Sequence, residues 1–79
     1  MHYVYIINSI SNPSRFYIGY TENLEQRLLA HNEGQVPHTS KFSPWKIKTY
    51  IAFENKQQAI DFEKYLKTSS GRAFSIKRL

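Results

Sequence analysis

The stretch Phe16-Tyr17-Ile18-Gly19-Tyr20, entered through Arg15, decides how the rest of the chain is read. Its aromatic and β-branched residues mark a strand, and alternation along it puts Phe16, Ile18 and Tyr20 on one face. Arg15 and Tyr17 fall on the other, which predicts a Tyr17 turned away from the core. Gly19 is then the place where a missing side chain lets the following helix, or a phosphate, come close to the sheet.

Working outward, Tyr3-Val4-Tyr5-Ile6-Ile7 is a second β-rich run, with Tyr3, Tyr5 and Ile7 on one face and Val4 and Ile6 on the other. The turn formers of Asn8 to Ser14 suit a long hairpin loop that joins the two runs antiparallel, bringing Tyr5 and Tyr17 side by side. After Tyr20, Asn23 caps a helix that runs to about Glu33, with Thr21 as the competing cap and Gly34 as terminator. Leu24, Leu28 and Leu29 form its apolar stripe, and Arg27 and His31, four apart, form a cationic edge beside it.

The segment Gly34 to Pro44 has two prolines and several hydroxyl residues, so it reads as the most mobile loop. Trp45 to Phe53 is a third strand, with Ile47, Thr49, Ile51 and Phe53 opposite Lys46, Lys48, Tyr50 and Ala52. A second helix starts near Asn55 and carries Ala59, Ile60, Phe62, Tyr65 and Leu66, a stripe interrupted by Glu63. A carboxylate there is costly to bury without a partner. Thr68-Ser69-Ser70-Gly71 breaks this helix, Ser70 caps a short last one, and Arg72, Lys77 and Arg78 make a basic end.

At 79 residues the chain is long enough for one domain, residues 1–79, with a modest core. It contains no cysteine, which excludes disulfides and thiolate metal sites. No run approaches the roughly 20 apolar residues of a membrane span, and the N-terminus lacks signal-peptide design, so the expectation is a cytoplasmic protein. Eleven Lys and Arg against six Asp and Glu leave a net charge of +5, which suits a polyanionic partner. His2, His31 and His38 lack metal-ligand spacing, and no glycine-rich phosphate loop or serine elbow is present.

Five residues remain for chemistry: Tyr5, Tyr17, Arg27, His31 and Glu63. Singly, each has a plain reading, as strand aromatics, a solvated helix edge, and a Glu63–Lys67 pair at i,i+4 spacing. Jointly they suit phosphodiester hydrolysis, which needs a metal, a cation on the phosphate oxygens and a base for water. One glutamate can hold a water-rich Mg²⁺, Arg27 offers a planar fork to phosphate, and a tyrosine beside metal and arginine can serve as base.

The chain resembles the GIY-YIG nuclease superfamily, in its small stand-alone branch. Tyr3-Val4-Tyr5 stands in place of the first tripeptide and Tyr17-Ile18-Gly19 is an intact second one. Arg27 follows ten residues after Tyr17 and His31 four further on, while Ala59-x-x-x-Glu63 matches the helix with the metal-binding glutamate. Two departures are visible: Tyr3 replaces the first glycine, and the asparagine of many relatives has no counterpart near Thr68–Ser75, where Gly71-Arg72-x-Phe74 stands instead.

The resemblance implies an α/β (α+β) fold, a three-stranded antiparallel sheet flanked by helices in β-β-α-β-α-α order. It implies a metal-dependent endonuclease in which Tyr5 and Tyr17 flank the attacking water, with Tyr5 favoured as base. Arg27 steadies the phosphate, His31 supports proton transfer or phosphate contact, and Glu63 holds Mg²⁺ or Mn²⁺. The expected partner is DNA, cut with low sequence selectivity, because no separate specificity domain fits. Lys46, Lys48, Lys64, Lys67, Arg72 and Arg78 then supply phosphate contacts that position without reading sequence. RNA or branched substrates and the oligomeric state stay open. The rival readings are a nucleic-acid-binding module of the same fold without turnover, and a basic protein-interaction domain.

Overall fold

The computed structural model describes residues 1–79. Its sheet is built around the most apolar strand, β1 (His2–Ser9), which pairs antiparallel with β2 (Phe16–Thr21) on one side and β3 (Trp45–Phe53) on the other. Val4, Tyr5, Ile6 and Ile7 are all buried, as a central strand covered on both faces requires. The covering helices are α1 (Leu24–Asn32), α2 (Lys56–Leu66) and α3 (Ser69–Arg78), with a 3-10 turn at Ser40–Phe42. The order is β-β-α-β-α-α, as expected, and no helix is long and apolar enough to cross a membrane.

Two clusters hold the sheet, one on each face. Val4, Ile6 and Ile18 pack against Ala59 and Leu66 of α2, with Phe62, Phe74 and Leu79 around them. Tyr5, Ile7 and Trp45 pack on the other face with Leu24 and Leu28 of α1. Burying each aliphatic side chain of this kind contributes about 2 kcal/mol. Tyr17 lies half-buried against this second cluster. The expectation that it turns away from the core is corrected, because the face opposite Ile18 carries a core of its own.

The third strand also departs from simple alternation. Ile6 pairs with Thr49 but Ile7 with Ile47, so Lys48 is left over as a bulge. Ile47 therefore packs with Ile7 on the α1 side, whereas Phe53 packs with Val4 and Ile6 on the α2 side.

Local signals set the helix ends. Asn23 accepts the Gln26 N–H at 3.1 Å and Thr21 Oγ1 accepts the Asn23 N–H at 3.1 Å, so the two competing caps act in series. Gly34, at φ 76°, takes the left-handed conformation that ends α1. Asn55 caps α2 through Gln58 N–H. The last helix is ten residues long, and its cap is Thr68, which accepts the Gly71 N–H at 3.1 Å, in place of the expected Ser70. The chain does break between α2 and α3, at Lys67 and Thr68, and Gly71 itself is a contact point inside α3: a Cβ there would run into the Tyr65 carbonyl, so glycine is what allows α3 to fold back on α2.

Candidate active site

The site starts from the pairing of Tyr5 with Gly19 across β1 and β2. A Cβ at Gly19 would collide with the Tyr5 phenol, so the space left by the glycine is filled by that ring. The sequence reading assigned this space to a helix or a phosphate; the paired tyrosine, directly opposite on the same face, reaches it first. Tyr17, paired with Ile7, lies diagonally from Tyr5, with ring centroids 6.5 Å apart.

Spacing of four residues on α1 aims both Arg27 and His31 at this phenol. Arg27 Nε donates to the Tyr5 hydroxyl at 3.2 Å, and Tyr5 Oη lies 2.9 Å from His31 Nε2. His31 is fully buried, its ring 5.1 Å from that of Tyr17. On its far side, Nδ1 is 2.8 Å from Thr39 Oγ1, and the Thr39 hydroxyl donates to the Val36 carbonyl at 3.2 Å. That last bond assigns the rest: Thr39 accepts from His31 Nδ1–H, so Nε2 is left as acceptor for the Tyr5 proton.

Thr39 belongs to the loop expected to be most mobile. It is instead buried and clamped by Trp45, whose Nε1–H donates to the Thr39 carbonyl at 2.8 Å. The Asn32 side chain in turn binds the Trp45 backbone through both N–H and C=O. Thr39, Trp45 and Asn32 were not legible as site residues. Thr39 is one hydroxyl residue among several in a proline-bearing loop, while Asn32 and Trp45 sit at the ends of the elements that flank it.

The electrostatics follow from burial. Burial, then the Arg27 charge, lowers the His31 pKa to about 4, so the imidazole is neutral at pH 7. Burial raises the Tyr5 pKa, outweighing the Arg27 hydrogen bond and charge, with smaller upward contributions from Tyr17 and Glu63. The bond to Tyr5 holds Arg27 above its ordinary value, with Tyr17 adding to it.

This has a measurable consequence. His31 takes up its proton near pH 6.5 in the unfolded chain but only near pH 4 in the folded one. Its contribution to stability is complete above about pH 6.5 and is lost as pH falls toward 4, reaching ~3 kcal/mol at the bottom of that window. Thermal melts from pH 7 to 4 should show that loss in the wild type. In a His31→Gln variant, whose amide can still bond both Tyr5 and Thr39, the loss should be much smaller; equal acid sensitivity in the two proteins would contradict the assignment.

Glu63 approaches from α2, on the opposite face of the sheet, and its charge reaches Tyr5. Its side chain is only 20% exposed and is paired with Lys67 Nζ at 3.3 Å. The plain i,i+4 pair and the proximity to the Tyr5, Arg27 and His31 cluster are thus both present.

A family model described as the GIY-YIG catalytic domain matches residues 1–77. The chain belongs to the GIY-YIG family. It is similar to a UPF0213 protein of Clostridium perfringens, at 40% identity over 85% of this chain and 71% of the relative. A UPF0213 protein of Bacillus licheniformis is 34% identical over 87% of the chain and 70% of the relative. A structure-specific endonuclease subunit SLX1 homolog of Giardia intestinalis is 34% identical over 77% of this chain, but over only 18% of its own length.

Within the GIY-YIG frame, the two tripeptides, Tyr3-Val4-Tyr5 and Tyr17-Ile18-Gly19, lie on paired strands with Tyr5 opposite Gly19, and Tyr5 and Tyr17 face the same side of the sheet. Of the five expected site residues, Tyr5 contacts Arg27, His31 and Tyr17, Tyr17 contacts His31, and Glu63 is within electrostatic reach. The basic residues divide. Lys67 and Arg72 line a cleft with Tyr17, Lys48 lines a pocket near Phe16, and Lys46 pairs with Asn8. Lys64 is exposed on α2 outside these clefts, and Arg78 lies on α3 with Ile76.

Proposed function

We propose that this GIY-YIG domain is a metal-dependent endonuclease that hydrolyses phosphodiester bonds in DNA with low sequence selectivity of its own. The family's nuclease character, and relatives named structure-specific endonuclease subunits, support the reaction class. The observation that carries the reading is the directional chain from Arg27 through Tyr5 and His31 to Thr39. In that chain the buried, neutral His31 accepts the Tyr5 hydroxyl hydrogen bond, which leaves a lone pair of the phenol oxygen for a water.

The relay works as follows. An attacking water gives its proton to Tyr5 Oη while the Tyr5 proton passes to His31 Nε2. Phenol and water thereby exchange roles without a free phenolate, which the raised pKa of Tyr5 disfavours. Thr39 holds the His31 ring and its tautomer throughout. Arg27 spends one N–H on Tyr5 and has four left for the phosphate oxygens, where negative charge grows. The new P–O bond forms as the opposite one breaks, and the leaving alkoxide takes a proton from solvent. His31, which does not hold a proton at neutral pH, gives its proton back to solvent through Tyr5, restoring the starting state.

The donor set fits a hydrated Mg²⁺ or Mn²⁺. No group of three His, Cys, Asp or Glu is present, and Glu63 offers the single carboxylate that such a water-rich ion accepts. The ion supplies Lewis acidity toward the phosphate oxygens when bound. Lys67 holds the same carboxylate at 3.3 Å, so ion binding competes with that pair.

Supercoiled plasmid incubated with the protein should be converted to nicked circles with Mg²⁺ or Mn²⁺ and stay intact in EDTA. Plasmid that is retarded in a gel yet uncut under both metals would overturn the enzyme reading and favour a binding module.

A further inference from the structure

Phe16, the first residue of β2, is 49% exposed and forms a ridge between two depressions. On one side is a cleft of about 430 Å³, within the range of small-ligand sites, lined by Arg15, Tyr17, Ile18, Lys67 and Arg72. On the other is a smaller, more enclosed pocket lined by Asn8, Pro13, Lys48 and Ile76. The floor is therefore apolar and aromatic and the rim cationic.

Neither Arg15 nor Arg72 makes an ion pair. Arg15 rests its guanidinium 4.7 Å from the Phe42 ring centroid, and Arg72 is fixed in the first turn of α3, its N–H donating to Thr68 O at 2.9 Å. The close packing of Gly71 on the Tyr65 carbonyl holds that turn in place. Tyr17 is a wall of this cleft and also touches His31, so the cleft opens directly beside the catalytic cluster.

An exposed aromatic ring bordered by Arg15 and Arg72, which make no ion pair, and by Lys67, which is paired with Glu63, suits a nucleotide whose base has a free π-face. In a duplex both faces of a base are covered by its neighbours. We propose that the Phe16 cleft takes one unpaired nucleotide flanking the scissile phosphate, its base against Phe16 and its phosphate between Arg72 and Lys67. The preferred substrate then has single-stranded or frayed DNA at the cut. This inference rests on the nuclease reading and adds the substrate class to it.

The test is binding of a fluorescent 12-nucleotide single strand and of the matching blunt duplex, measured by anisotropy in EDTA so that no cleavage occurs. Wild type should favour the single strand by about fivefold or more. Phe16→Leu, which keeps an apolar side chain, should weaken single-strand binding about fivefold and leave the duplex unchanged. Arg72→Gln should weaken both and reduce the salt slope by about one. An unchanged single-strand preference in Phe16→Leu overturns the cleft assignment alone. Failure of the wild type to bind either DNA overturns the nuclease reading together with it.

Discussion

Replacing Glu63 by glutamine is expected to lower Mg²⁺-supported nicking by about 10³-fold or more, the ~4 kcal/mol that one metal contributes to stabilising developing charge. Glutamine keeps the shape of the side chain but removes its charge, so Mn²⁺ binding followed by titration calorimetry should be lost as well. The fold should barely notice. The only partner given up is Lys67 in an i,i+4 pair, which is worth a few tenths of a kcal/mol, so the melting temperature should move by no more than about 2 °C. Mn²⁺ affinity and rate both at the wild-type level would remove Glu63 from the site.

Tyr5→Phe is expected to lower kcat by about 10²- to 10⁴-fold, the range for loss of a positioned proton acceptor. The ring should stay packed on Ile7 and Trp45, since the variant loses one atom. Two groups lose their partner: Arg27 Nε–H and His31 Nε2. Leaving them unsatisfied costs about 1–3 kcal/mol of stability, visible in a chemical melt. Tyr17→Phe is the matched control. Its hydroxyl is not part of the relay, so its rate should fall by less than about tenfold. A Tyr17→Phe loss larger than that of Tyr5→Phe would reverse the roles of the two phenols.

The strand and helix pattern was readable because it rests on local chemistry. Tyr3–Ile7, Phe16–Tyr20 and Trp45–Phe53 are β-branched and aromatic, and all three are strands. Asn23 and Asn55 are side-chain caps one residue before a helix, and both act as such. Glycines misled where their role was a contact. Gly71 looked like a breaker and is a helix–helix approach point, and Gly19 looked like room for a helix and is room for Tyr5. The Lys48 bulge escaped detection because register is a property of two strands and only one is in view at a time.

By itself the chain specified its elements and their order, and its spacing put Arg27 and His31 on one edge of α1 and Tyr5 beside Tyr17 on paired strands, since i,i+4 geometry and strand alternation are short-range rules. Folding decided which of these residues became chemistry. Burial set the His31 pKa, and burial depends on which loop closes over the ring. Thr39 and Trp45 do that closing, from eight and fourteen residues down the chain, through hydrogen bonds that exist only once α1, the loop and β3 have met. The direction of the proton path is likewise a tertiary fact. It is fixed by the Thr39 hydroxyl donating to the Val36 carbonyl, a contact that no periodicity encodes.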